Sequence, residues 1–124
     1  MSKTAQAYKW DDIEIENPIP TLDRQRVIGE KILVAKLDLK RGCVVDLHSH
    51  PNEQVSVFLS GRARWKLQDP DGSLRHVEMG AGEVLVIPGG VPHGIEVLED
   101  TEVFDLLSPP GEMGIDRQGR ASSE

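Results

Sequence analysis

The chain has 124 residues, enough for one domain with a single core; 38% of the residues are hydrophobic and 28% are charged. No run approaches the roughly 18 apolar residues that span a bilayer, and the N-terminus lacks the apolar core of a secretory signal. Lys and Arg number 14 against 21 Asp and Glu, a net charge of -7 that argues against nucleic-acid binding. With Cys43 as its single cysteine, the chain is predicted to be cytoplasmic and to bind neither nucleic acid nor membranes.

In chain order, residues 1–30 mix charge with Pro18 and Pro20 and predict an extended arm with one edge strand near Ile13 and Ile15. Residues 31–108 hold eight short β-rich runs separated by Gly, Pro or Asp-Gly: KILVAKLDL, CVVDL, QVSVFLS, RARWKLQ, LRHVEM, EVLVI, GIEVL and TEVFDLL. Strands at this spacing predict an all-β sandwich or barrel. The polar residues 109–124 predict a mobile tail.

Two of these segments carry more specific predictions. Asp69–Gly72 is a turn signal that joins RARWKLQ to LRHVEM as a hairpin. The run EVLVI has four consecutive apolar residues, although a strand with one solvated face alternates polar and apolar side chains. Both faces of this strand are therefore expected to be covered, the second by a partner subunit, and we predict a homodimer.

Two of the four histidines, His48 and His50, stand two residues apart at the end of the run CVVDL. Side chains at positions i and i+2 of a strand point to the same face, so both imidazoles can converge on one ion. A bare His-x-His pair more often occurs without a metal than with one. The residues around the pair therefore decide how it is interpreted.

Those surrounding residues resemble the two motifs of the cupins, G-x5-H-x-H-x3,4-E-x6-G and G-x5-P-x-G-x2-H-x3-N. Every glycine, the proline and all three histidines match in spacing: Gly42, His48, His50, Gly61, Gly82, Pro88, Gly90 and His93. The resemblance implies an all-β fold, the double-stranded β-helix or cupin jelly-roll barrel, with metal ligands pointing into its mouth.

Two positions depart from the cupin pattern, because Gln54 replaces the carboxylate ligand and Val97 the final Asn. Glu53 is one residue short of the family spacing, and strand alternation turns it to the opposite face. The resemblance implies a divalent metal held by four side chains: His48, His50, Gln54 and His93. A neutral ligand set favours Lewis-acid chemistry over an iron oxygenase site with two histidines and one carboxylate. The sequence does not choose among nickel, zinc, manganese and iron(II).

Residues 25–112 resemble small single-domain cupins that include the KdgF-type pectin-degradation proteins, in segments such as HSHPNEQVSVFLSGRARW and VIPGGVPHGIEVLEDTEVFDLLSPPGE. Such relatives open the ring of 4,5-unsaturated uronates to give linear keto acids. Their D-x-F-S-P-P-R segment implies that Asp105 is a catalytic acid or base, but Leu107 replaces the aromatic residue and Gly111 the arginine. Four other cations are candidates to replace that arginine, although a solvated surface position is the simpler interpretation of each: Arg24, Arg26, Lys31 and Arg64.

Together these residues favour a metal-dependent enzyme that acts on a small sugar acid or other hydroxy-carbonyl compound by ring opening, isomerisation or elimination. A metal-dependent dioxygenase and a non-catalytic cupin that binds a small molecule such as a sugar remain open, because one fold hosts all three functions. Alternation from Gln54 places Ser56 and Phe58 on the ligand face. Trp65 is a core residue, a cavity wall or a dimer contact.

Overall fold

The computed structural model describes residues 3–116. Within them, a 3-10 helical turn at Trp10–Asp12 is followed by eight strands: β1 (Glu16–Ile19), β2 (Leu22–Ile28), β3 (Leu33–Leu39), β4 (Val44–His48), β5 (Glu53–Gln68), β6 (Leu74–Gly80), β7 (Val84–Ile87) and β8 (His93–Ser108). Buried residues alternate with more exposed ones along β3, β5 and β8, as expected where one face of a sheet covers a core. No helix in this part of the chain has the length and hydropathy needed to cross a bilayer.

Two long antiparallel strands, β5 and β8, organise the fold. The first half of β5 pairs with β7 and with the second half of β8, whereas its second half pairs with β6 and with the first half of β8. Strands β3, β2 and β1 extend the sheet from the second half of β8, and β4 pairs with its first half. The predicted all-β jelly-roll barrel is confirmed.

Strands β5 and β8 are longer than the sequence predicts. QVSVFLS and RARWKLQ lie in one 16-residue strand, as do GIEVL and TEVFDLL, so the region expected to hold eight strands holds six. The register shifts between Phe58 and Ala63, where Gly61 adopts a φ of +88°. Glycine and polar residues, which often end a strand, here form a bulge that lets the strand bend and continue.

The N-terminal part of the chain holds two strands where the sequence predicts one. The edge strand predicted near Ile13 and Ile15 begins at Glu16, and the second strand, β2, was not predicted within the extended arm. The part before β1 is held by side chains: Trp10 stacks on Phe104 at 5.9 Å between ring centroids, and Gln25 Nε2 donates to the carbonyl oxygens of Trp10 and Ile13. These hydrogen bonds satisfy two backbone carbonyls that lie outside the ladder.

The core lies between the two halves of the barrel. Its most deeply buried apolar residues include Leu33, Ala35, Phe58, Ala63, Val97, Val103 and Leu107. The C-terminal segment, residues 109–116, also packs onto this core, because Met113 and Ile115 are only 6% and 5% exposed. The expected mobile polar tail is therefore wrong for this segment, and residues 117–124 lie outside the described part of the chain.

The hairpin predicted at Asp69–Gly72 is confirmed. β5 and β6 pair as far as Gln68 and Leu74, and Gly72 has a φ of +88° in the connecting turn. His76 on β6 is exposed, whereas Cys43 is 1% exposed and its burial raises the pKa of the thiol. Neither residue lies with the other three histidines.

Candidate metal centre

Three histidines converge at one end of the barrel. His48 ends β4 and His93 begins β8, where the two residues face each other in register; His50 lies just beyond β4. The ring centroids are 4.3 Å apart for His48 and His93, 5.0 Å for His50 and His93, and 5.8 Å for His48 and His50. One ring nitrogen from each lies within 4.8 Å of the other two, a spacing that could hold a metal ion.

Backbone carbonyl groups orient the three rings. The Nδ1 atoms of His48, His50 and His93 lie 2.8, 3.1 and 2.9 Å from the carbonyl oxygens of Asp46, Asn52 and Val91, respectively. A carbonyl oxygen only accepts hydrogen bonds, so these contacts favour the tautomer with the proton on Nδ1, which leaves the Nε2 lone pair available as a ligand. This arrangement, with the second nitrogen held by a backbone carbonyl, is the usual support of a metal-ligating histidine.

Gln54 extends this set of donor atoms. Its Oε1 lies 3.2 Å from His50 Nε2, and its Nε2 donates to Ser56 Oγ at 3.1 Å. With the His50 proton on Nδ1, two lone pairs face each other across 3.2 Å. Ligand atoms at about 2.0–2.2 Å from a common ion lie about 3.0–3.5 Å apart, so the distance between these two atoms fits a cation that both contact.

Asp105 is joined to Gln54 through Ser56. The Ser56 hydroxyl, fully buried, accepts from the Gln54 amide and donates to Asp105 Oδ1 at 2.5 Å. Burial raises the pKa of Asp105 to about 6, although the hydrogen bond from Ser56 acts in the opposite direction. Glu53, by contrast, is exposed and lies on the other face of β5.

A cavity of about 60 Å³ is lined by His48 and His93 on one side and reaches Asp105. Its polar lining comes from His48, Gln54, His93 and Asp105, and its apolar lining includes Phe58, Trp65, Val103, Met113 and Ile115. The indole Nε1 of Trp65 is buried with no hydrogen-bond partner among the described residues. A buried donor of this kind beside a cavity can serve a bound molecule.

The C-terminal segment contributes one side of this cavity, a feature that the sequence analysis missed. Met113, Gly114 and Ile115 line it. A Cβ atom built on Gly114 would overlap the ring of His48, so the backbone of this residue packs directly against a candidate ligand. No signal in the sequence marks these residues, because nothing in the local pattern after Pro109 and Pro110 relates them to the histidines.

The remaining positions singled out by the sequence have clear places in the fold. Leu107 is a fully buried core residue, and Gly111 packs beside the Asn52 side chain. Of the four cations considered as replacements for the missing arginine, Arg24 is 3% exposed, whereas Arg26 is half-buried and Lys31 and Arg64 are exposed. Arg24 hydrogen-bonds to Glu16 and Asp116.

Comparison with known proteins agrees with this geometry. Residues 36–108 match the family model described as a cupin domain. Oxalate decarboxylase OxdC of Bacillus subtilis (strain 168) is 30% identical over 88 residues, which cover 71% of this chain and 23% of that protein.

Solved structures show the same fold. The oxalate decarboxylase formate complex of Lactobacillus farciminis matches with a TM-score of 0.78 and 20% identity over 90% of this chain and 36% of that one. KdgF from Halomonas sp. matches with a TM-score of 0.76 and 23% identity over 88% of this chain and 97% of that one. The chain thus spans about a quarter to a third of the oxalate decarboxylases and nearly the whole of KdgF.

Proposed function

This chain belongs to the cupin family, and on that premise we propose that it is a metal-dependent enzyme acting on a small sugar acid or other hydroxy-carbonyl compound. The reaction class is proton transfer at carbon or oxygen, leading to ring opening, isomerisation or elimination. The observation that carries the proposal is the buried carboxyl of Asp105, which shares a cavity with His48 and His93, two of the three converging histidines. A buried acid–base group beside candidate metal ligands is a typical arrangement in active sites.

His48, His50, His93 and Gln54 are the residues that would hold a divalent metal. When bound, this ion supplies Lewis-acid polarisation of a substrate oxygen, and a neutral ligand set leaves its full positive charge for that purpose. Nickel, zinc, manganese and iron(II) remain candidates. The oxalate decarboxylase of Bacillus subtilis contains Mn(II) centres, which makes manganese the first ion to test.

Asp105 is the proposed general acid or base. With a pKa raised to about 6, its carboxyl group exists in both protonation states near neutral pH, as efficient proton transfer requires. The Ser56 hydroxyl fixes the orientation of Oδ1. The second carboxylate oxygen is then the atom that gives a proton to the substrate or takes one from it.

The rest of the cavity wall would orient the substrate and exclude water. Phe58 and Val103 are nearly inaccessible to solvent, so polar contacts inside the cavity are strengthened by a low local dielectric. Trp65 Nε1 is a candidate donor to a substrate oxygen. The small volume of the cavity, about 60 Å³, favours a compact substrate while the C-terminal segment is in place.

The test combines metal analysis with turnover. We expect near-stoichiometric metal in the purified protein, loss of that metal in His48→Ala/His93→Ala, and full metal retention in Asp105→Asn. On a panel of small hydroxy acids, hydroxy-ketones and a 4,5-unsaturated uronate, Asp105→Asn should lower kcat by about 100-fold or more. Asp69→Asn, on the hairpin that follows β5 and outside the cavity lining, serves as the matched control and should leave kcat unchanged.

The outcomes separate this function from its alternatives. Full turnover by Asp105→Asn with unchanged metal content would contradict the proposed acid–base role. Oxygen consumption that depends on substrate would favour a dioxygenase. Tight binding of a panel compound without turnover would favour a non-catalytic binding cupin.

A further inference from the structure

Arg24 is a buried guanidinium on the cavity side of the sheet. Its strand β2 pairs with β3 so that Arg24 lies opposite Leu37 and Leu22 lies opposite Leu39. Directly opposed residues of two strands point to the same face of a sheet, and Leu22, Leu37 and Leu39 all line the cavity. Arg24 therefore points toward the interior of the barrel, where an unpaired cation would be strongly unfavourable.

The residues that separate Arg24 from the cavity belong to the C-terminal segment. Met113, which lines the cavity, has its Sδ 3.6 Å from Arg24 Nη1. Asp116 binds the guanidinium through both carboxylate oxygens, at 3.1 Å from Nη1 and 2.9 Å from Nη2. Displacement of this segment would remove Met113 and Asp116 together and would connect Arg24 with the cavity.

The charges around Arg24 balance only while Asp116 is present. Arg24 and Arg26 contribute two positive charges, and Glu16, which both arginines contact, contributes one negative charge. Asp116 supplies the second negative charge. Without it, the cluster has a net charge of +1 and a bidentate donor pair whose geometry matches one carboxylate.

Asp116 is more accessible to water than Arg24 is. Its side chain is 23% exposed against 3% for Arg24, so water can replace part of its interaction with the guanidinium as the segment leaves. The guanidinium stays in place because Glu16 contacts its Nε and Nη2. The cation is therefore fixed, and its second partner is the exchangeable one.

We propose that Asp116 occupies the position of a substrate carboxylate, and that a small carboxylate ligand displaces the C-terminal segment and binds Arg24 in its place. The inference rests on the proposed function, since it names the substrate class of the same cavity as carboxylates. Entry of the ligand and opening of the cavity are then the same event.

Binding of lactate and of lactamide, its neutral counterpart, tests the substrate class. The two probes share a hydroxyl and differ in charge, and their affinities for the purified metal-containing protein are measured by titration calorimetry. Asp116→Ala removes the competing carboxylate and should tighten lactate binding by about tenfold, because the closed form no longer reduces the apparent affinity. The affinity for lactamide should increase much less.

The matched control is Asp69→Ala, which changes the net charge equally but breaks an exposed pair with Arg75 on the hairpin. It should leave both affinities unchanged. Arg24→Lys in the Asp116→Ala background should abolish the gain for lactate, since lysine lacks the bidentate fork. If that double variant does not fold, the comparison of the two probes in Asp116→Ala still decides the question.

The inference is overturned if Asp116→Ala leaves lactate affinity unchanged, or if lactate and lactamide gain equally, which would indicate steric opening alone. Hydrogen exchange gives a second measure: lactate should increase exchange of the amides at residues 111–116 in the wild-type protein.

Failure of this inference is distinguishable from failure of the proposed function. Tighter lactate binding in Asp116→Ala without turnover of any panel compound would contradict the proposed enzymatic function but would support the carboxylate site.

Discussion

At the scale of single residues, Asp105 couples protonation to stability. Burial raises the pKa of this carboxyl from 3.8 to about 6, so between these values the folded protein binds more protons than the unfolded chain. The contribution of Asp105 to the free energy of unfolding therefore falls as pH rises from about 4 to about 6 and is constant above. The shift corresponds to about 3 kcal/mol.

Asp105→Asn should remove this dependence. In chelator-treated protein, we compare the free energy of unfolding of the variant with that of the wild type. The variant's advantage is expected to be about 2–3 kcal/mol larger at pH 8 than at pH 4, measured by urea unfolding at both values. Asp69→Asn is the control and should show no such gain. Equal stability differences at the two pH values would contradict a raised pKa for Asp105.

Trp65 offers a second residue-scale prediction. Its buried Nε1 lacks a hydrogen-bond partner among the described residues, and a ligand oxygen would satisfy it. Trp65→Phe keeps an aromatic ring in the cavity wall but deletes the donor, so it should weaken substrate binding by about tenfold. Its free energy of unfolding should change much less than that of Trp65→Ala, which leaves a large cavity. Unchanged affinity in Trp65→Phe would mean that the donor does not contact the ligand.

At the scale of elements, the bulges let β5 and β8 run through both halves of the barrel. Gly61 combines a φ of +88° with close packing, since an added Cβ would lie 2.6 Å from Thr101 Cα on β8. Gly82 has a similar φ of +85° but no atom within 4 Å of an added Cβ. Comparison of the two glycines therefore separates the cost of the left-handed backbone conformation from the cost of steric overlap.

Alanine at these two positions should have different effects. Gly82→Ala should cost about 1–2 kcal/mol, the usual penalty of the left-handed conformation for a residue with a Cβ. Gly61→Ala adds overlap with the backbone of β8 and should cost more than about 3 kcal/mol, measured by urea unfolding. Similar costs at the two positions would show that the bulge has room to relax.

At the scale of the whole molecule, β7 presents the apolar face on which the homodimer prediction rests. Val84 and Val86 are each 56% exposed, and they lie beside Val57 and Val55 of β5 in register. The next strand in the sheet adds Leu106 and Phe104 to the same face, although Trp10 of the same chain already stacks on Phe104. Such a contiguous apolar face is larger than isolated exposed residues and is typical of a surface covered by a partner.

Val86→Lys is expected to convert a dimer to a monomer at micromolar concentration, because an unpaired charge would be buried in the interface. Light scattering after size-exclusion chromatography measures the mass. Leu74→Lys, at a 51% exposed position on β6, is the control and should leave the mass unchanged. A wild-type chain that remains monomeric at every concentration would overturn the predicted dimer.

The sequence by itself determined the fold class and the convergence of His48 and His50. Both depend on local patterns: alternation with a period of two places side chains on one face of a strand, and motif spacing relates the histidines to the glycines of their turns. Local patterns also predicted the hairpin after β5. They failed at Gly61, because a glycine in a bulge and a glycine in a turn produce the same break in an apolar run.

Only the tertiary structure placed the C-terminal segment over the histidines. The contact between Arg24 and Asp116 joins residues 92 positions apart, and the packing of Gly114 against His48 joins two segments with no shared periodicity. The partner of a buried charge is selected by proximity in the folded chain and by the cost of leaving that charge unpaired, neither of which a one-dimensional pattern contains. The histidines were therefore recognisable from the sequence, whereas the group that closes their cavity was not.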